Sequence, residues 1–393
     1  MKKSIFHLFI FYLIVKLIIG GLNFVMDSRF MQVFALNHIS SSDFSFNDLY
    51  YRIQSEKSLE GQLHFYREKS VILINSGSID TKFRSELAYL IDEINRHNPK
   101  VIGIDHTFLD DEWKEGTDKL KASFGESENI VLAHDPINEV TTSKYIGDGK
   151  RKGDVSFPDT LATMRNYYSH DSTFAFLLAR EAFPDQAKAV SESKTFPIHY
   201  SCKGNGLKTA SSQINFECLE ARDILNGTIN SKDLELLENK IIIIGHMGKE
   251  RINNENDIED KFAVPTDMKN ITNRLPSMYG SVIHANAIEN ILHPETHFRE
   301  WNGLWFIIFK ELLIIAFLAF LLFLHFGKFI NIMALTIITI PVLLIVLKLM
   351  EYNIYISMGA TLLHLLLFEE LVEIIGPTYS RVTKFKFKNH ENK

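Results

Sequence analysis

Apolar residues crowd both ends of the chain and recur in short bursts between them. Ile5–Leu22 near the start, and Gly303–Phe326, Phe329–Leu349 and Tyr352–Val372 near the end, are each close to the roughly 20 residues that cross a bilayer. The middle is built differently. Val71–Asn75, Val101–Ile104, Asn129–Ala133 and Ile241–Gly245 are short branched-apolar runs bounded by breakers or polar clusters. Such runs read as buried strands of a parallel sheet. Between the first two, Phe83, Leu87, Leu90, Ile91 and Ile94 repeat at helical spacing until Asn98-Pro99 stops them, which makes a βαβ unit. Ser172–Phe183 reads as a buried helix, and Ser281–Leu292 as one with Ile283, Ala287, Ile288 and Ile291 on a single face. Short strands are expected near Val155–Phe157 and Ala162–Tyr168. Phe196–Cys202 and Gln213–Leu219 read as a hairpin closed at Gly204-Asn205-Gly206. The expected fold class is an α/β ectodomain with a mainly parallel, mixed central sheet flanked by helices, plus four transmembrane α-helices, one N-terminal and three C-terminal.

Charge then sets the expected orientation. Lys2 and Lys3 precede the first apolar stretch, Lys328 follows the second, and Arg381, Lys384, Lys386, Lys388 and Lys393 follow the last. Four spans put all of these on one side, as the excess of Lys and Arg on the cytoplasmic side requires. Gly20-Gly21-Leu22-Asn23 is a poor cleavage site, so the first stretch is expected to remain as an anchor. The expected layout is a cytoplasmic start and first span over 1–24, an extracytoplasmic domain over 25–302, spans over 303–326, 329–349 and 352–373, and a basic cytoplasmic tail over 374–393. The expected location is a bacterial inner membrane, with both termini cytoplasmic and the large domain periplasmic.

Composition narrows the function classes. The 393 residues carry 23% charged side chains and a net charge of −6, with no concentrated basic face to hold nucleic acid. No nucleophile motif stands out, so no enzyme activity and no catalytic residue are expected. No cofactor is expected either, and two cysteines without matching histidine spacing leave no metal site. Outside the cytoplasm, Cys202 and Cys218 could form a disulfide or stay as two buried thiols. Within the apolar ends, Lys16 and Glu311 would both lie about 12 Å deep at 1.5 Å per residue, which favours their pairing. The chemistry-bearing residues of the middle stand at strand ends: Asn75, Asp105, His106, His134, Asp135 and His246. Ligands of open α/β sheets bind outside the carboxyl ends of the strands, so these six are the candidate ligand site. Capping helices and fixing loops is the commoner fate of such residues and stays open beside it.

The order of these pieces resembles the type-2 CHASE extracellular sensor domain. The likeness rests on Lys100-Val101-Ile102-Gly103-Ile104-Asp105, the Lys152–Asn166 segment, the Ser172–Phe183 helix and Asn239–Gly245. It rests further on Val264-Pro265-Thr266 and, most specifically, on Tyr279-Gly280-Ser281-Val282-Ile283-His284-Ala285-Asn286-Ala287. The resemblance implies a sensory role. Its members commonly signal to a cytoplasmic cyclase, kinase or phosphodiesterase, and no such output domain is read in this sequence. The expected function is therefore to sense a periplasmic ligand or envelope state, or to dock a partner, and to relay this to a separate protein in the membrane, periplasm or cytoplasm. The alternative is a structural subunit of an envelope complex whose ectodomain binds protein. The lipid bilayer is an expected partner, and a homo-oligomer is left open.

Overall fold

The computed structural model describes residues 69–79, 83–109, 115–157, 166–188, 194–200, 216–248, 260–262, 278–294, 304–324 and 340–352, with short pieces elsewhere. The chain divides into two compact units, Tyr51–Phe298 and a second made of Met1–Tyr50 with Arg299–Lys393.

The first unit is built on a seven-stranded mixed sheet. Its strands are β1 (Val71–Asn75), β2 (Val101–Asp105), β3 (Ile130–Asp135), β4 (Val140–Thr141), β5 (Arg151–Asp154), β8 (Cys218–Glu220) and β9 (Ile241–Gly245). They run in the order β4-β3-β2-β9-β1-β8, with β5 also on β3. Only β4 is antiparallel to its neighbour. The βαβ unit read from the sequence is present, but its strands are not adjacent. β9, more than a hundred residues downstream, sits between β1 and β2 and pairs with both in parallel. Its four isoleucines are fully buried, and burial on both faces is what a central parallel strand requires.

Helices cover both faces. On one, α1 (Phe83–Asn95) and α2 (Thr117–Glu126) present Leu87, Leu90, Ile91, Ile94, Leu120 and Phe124 to the alternate strand residues Ile72, Ile74, Ile102, Ile104, Ile242 and Ile244. Each such side chain contributes roughly 1.5–3 kcal/mol on burial. α1 ends where expected: Asn98 adopts a left-handed φ of 50° just before Pro99. On the other face, α3 (Phe174–Ala182) packs so closely that a Cβ on Gly103 would lie 2.7 Å from Leu178. The same face carries α5 (Gly280–Leu292); the short α4 (Ala221–Leu225) follows β8 directly. All thirteen residues of α5 are buried, not only the apolar stripe read from its sequence.

The expected hairpin is corrected. β7 (Lys194–Pro197) pairs antiparallel with β6 (Asn166–Ser169), whereas β8 joins β1 in parallel. The Gly204-Asn205-Gly206 turn lies outside the described residues, and β8 takes its place by backbone pairing along the edge of β1.

The expected four transmembrane helices are also corrected: among the described residues, no helix is long and apolar enough to cross a membrane. In the second unit, α6 (Leu304–Leu324) carries the charged pair Lys310-Glu311. That pair places two charges within its 21 residues, where they are costly in a bilayer. The helical segment 340–350 is shorter. Within this unit Tyr12 donates a hydrogen bond to Glu311. Lys16, the partner expected for Glu311, lies outside the described residues.

Candidate functional site

Parallel pairing aligns the strand ends in one row. Asn75 of β1 and Asp105 of β2 stand on either side of Gly245 of β9, and Glu220 of β8 stands beyond Asn75. The glycine is dictated by what crosses above it. A Cβ on Gly245 would lie 2.0 Å from Ser281 Oγ and 3.2 Å from Asp105 Cβ. Ser281, in the first turn of α5, uses that closeness to donate to Asp105 Oδ2 at 2.6 Å. A carboxylate beside a helix N-terminus is also favoured by the helix dipole.

One residue further along, the chain turns the other way. His106 Nε2 lies 2.6 Å from Ser76 Oγ, and its ring meets Phe83 edge-on at 4.9 Å. His246 follows Gly245 and meets Tyr279 edge-on. His106 is pushed down from 6.5 to about 4. Burial disfavours its cation, the Asp105 carboxylate opposes that effect, and His246 adds to it. Asp105, His106 and His246 are each partly buried, and the Nε2 atom of His246 is fully buried.

Asn75 shares the row but not the character. It is fully buried, and its amide spans four partners: Glu220 Oε2 at 2.9 Å, Gly248 O at 3.1 Å, and the amides of Met247 and Gly77 at 2.9 Å each. These bonds lock the loops after β1 and β9. Asn75 is a structural clamp.

A family model for the CHASE2 domain matches residues 25–324. The chain belongs to the CHASE2 domain family. No curated protein and no solved structure matches it.

CHASE2 domains are extracellular sensory domains, and the chain carries one. Within it, the structure brings Asn75, Asp105, His106 and His246 together at neighbouring strand ends and leaves two candidates to local tasks. His134 and Asp135 are the last two residues of β3 and pair with Thr141 and Val140 of β4. Burial works against the Asp135 carboxylate, yet bonds from Asn138, Ser156 and the Ile137 amide together hold its pKa below the usual value. That is a turn anchor. Cys218 is a free thiol on β8, pushed up by burial and by Glu220, and Cys202 lies outside the described residues.

The sequence reading missed Ser76, Ser281 and Glu220. The available signal for Ser281 was its place in the Tyr279–Ala287 segment, directly after Gly280 at the start of a helix. His284 of that segment is also buried. Burial lowers its pKa against the pull of Asp105 and Asp154, and its ring stacks on Phe157 at 4.9 Å. No cluster of three or more His, Cys, Asp or Glu able to hold a metal occurs among the described residues.

Proposed function

We propose that this CHASE2 chain senses an extracellular ligand at the Asp105–His106–His246 corner and relays its occupancy to a separate partner protein, without catalysing a reaction. The observation that carries this is the union of one carboxylate and two imidazoles, each partly buried, at adjoining strand ends of a sensory domain. Asp105 has one oxygen engaged by Ser281, and its other oxygen is available to a ligand donor.

The Ser76–His106 distance resembles that of a nucleophile and its base. Two facts argue for a binding role instead. Ser76 is only 2% exposed, which denies a substrate carbon access to its oxygen. His106, held at about 4, is too weak a base to draw a proton from a hydroxyl near neutral pH. A scaffold role would be favoured by one broad apolar patch. The exposed large side chains described in this unit stand on separate elements instead, and Lys119 and Lys121 cover the rings of Tyr89 and Tyr145.

The test is thermal stabilisation of the full chain by a panel of amino acids, sugars, small amines and carboxylic acids at neutral pH. A compound that raises the melting temperature of the native chain but not of Asp105→Asn or His246→Ala supports the corner as the site. Equal stabilisation of all three, or none by any compound, counts against it.

A further inference from the structure

The Asp105 corner lies at one end of α5, and the other end of α5 holds the segments by which the described residues of the sensory unit begin and end. At 1.5 Å per residue the helix is about 20 Å long. At its C-terminal end, buried Glu289 accepts the Ser70 amide at 2.6 Å and the Val71 amide at 3.2 Å. His293 Nε2 lies 3.6 Å from the same carboxylate. Among the described residues of the unit Tyr51–Phe298, Ser70 leads into the first strand, β1, and His293 follows the last helix, α5. Glu289 thus ties the incoming segment to the outgoing one.

Between its two ends α5 has little freedom. Asn290 bonds both the amide and the carbonyl of His199, at 2.7 and 3.2 Å, as a strand partner would. Ser281 has no slack above Gly245. A helix that is buried all round, with polar bonds at each end, moves as a body or stays put, because close-packed interiors switch between arrangements and do not deform gradually.

We infer that α5 is the coupling element of the sensor: a change at the Asp105–Ser281 bond is delivered through the helix to Glu289 and alters its hold on Ser70 and Val71. The inference rests on the sensing reading for its purpose, but the coupling itself needs no ligand and can be measured alone. Coupling of this kind is a free energy shared by two sites, and spatial continuity only nominates the path.

The experiment is amide hydrogen exchange on the full chain. Glu289→Gln sets the scale by weakening the bonds to Ser70 and Val71 directly. Asp105→Asn and Ser281→Ala are each expected to speed exchange of those two amides on the order of tenfold, while the Val131 amide in β3 stays within about twofold. Asp105→Asn keeps the size of the side chain but replaces the charge-assisted bond from Ser281 with a weaker neutral one, which guards against a variant that simply fails to fold. Unchanged Ser70 and Val71 amides would overturn the coupling, as would a matching rise at Val131, which signals general loosening. No response to Glu289→Gln would remove Glu289 as the receiver. A chain that binds none of the panel yet shows the amide response loses the sensing reading and keeps the coupling. A chain that binds at Asp105 with silent amides does the reverse.

Discussion

Asn75 and Asp105 occupy the same row of one sheet, one strand to either side of Gly245, and they serve opposite ends. Asn75 is fully buried with both its oxygen and its nitrogen engaged, so it has nothing left to offer a ligand. Asp105 is half-buried with a single bond to Ser281. A polar residue at a strand end is therefore not a site by position alone. Spare hydrogen-bonding capacity that reaches solvent makes the difference, and it separates the clamp from the corner.

The comparison breaks most visibly at the clamp. Asn75→Ala would strand the Gly77 and Met247 amides, the Gly248 carbonyl and the Glu220 carboxylate. Each unsatisfied buried group costs about 1–3 kcal/mol, so the whole change should cost about 4 kcal/mol in chemical denaturation. Asp105→Ala, by contrast, should cost about 1 kcal/mol. If the two variants lose equal stability, the division of the row into clamp and site is wrong.

Next in size is the glycine between them. Gly245→Ala forces a methyl group against Ser281 Oγ and should cost about 2–3 kcal/mol as overpacking. Adding Ser281→Ala removes the clashing oxygen and should restore part of the loss; a double variant no more stable than Gly245→Ala would show that the crowding lies elsewhere. Gly245→Ala should also weaken any ligand that stabilises through Asp105, since the Asp105 Cβ lies only 3.2 Å from the added methyl position.

The smallest effect is on pH. His106 titrates near 4 when folded and at its ordinary 6.5 when unfolded. Between those values the unfolded chain binds a proton that the folded chain refuses. This share of stability is thus complete above pH 6.5 and is lost as the pH falls to about 4. With allowance for partial exposure the loss is at most about 2 kcal/mol. Burial lowers His284 as well, so the two add in the same direction. Melting temperatures of the native chain and His106→Gln, followed from pH 7 to pH 4, should converge in the acid range. Parallel curves would assign the acid loss to other groups.

Much of the candidate site was legible beforehand. Asn75, Asp105, His106 and His246 each follow an apolar run, and that alternation is a local property of the chain. Ser281 and Glu289 were not legible as partners. Their spacing from Asp105 and Ser70 in sequence is about two hundred residues, and nothing in a helical pattern says which strand end a serine will meet. His134 and Asp135 show a different setting. They follow an apolar run in the same way and are the last two residues of β3, where they pair with β4. The apolar ends show another limit. Hydropathy supplied length and composition, but among the described residues no helix is long and apolar enough to cross a membrane, and Lys310-Glu311 puts two charges inside α6.

What the sequence by itself determined is the four central strands β1, β2, β3 and β9, most of the helices around them, and the polar residues that end those strands. Those follow from side-chain periodicity and from breakers such as Asn98-Pro99, which act over a few residues. The tertiary structure alone decided that β9 enters between β1 and β2, that β8 leaves its expected hairpin, and that α5 is buried on every side. These depend on which faces find each other across the whole unit, through packing between residues far apart in the chain. Because β9 is central, Gly245 stands between Asn75 and Asp105, Ser281 can press down on it, and one end of the sheet becomes a clamp and a corner.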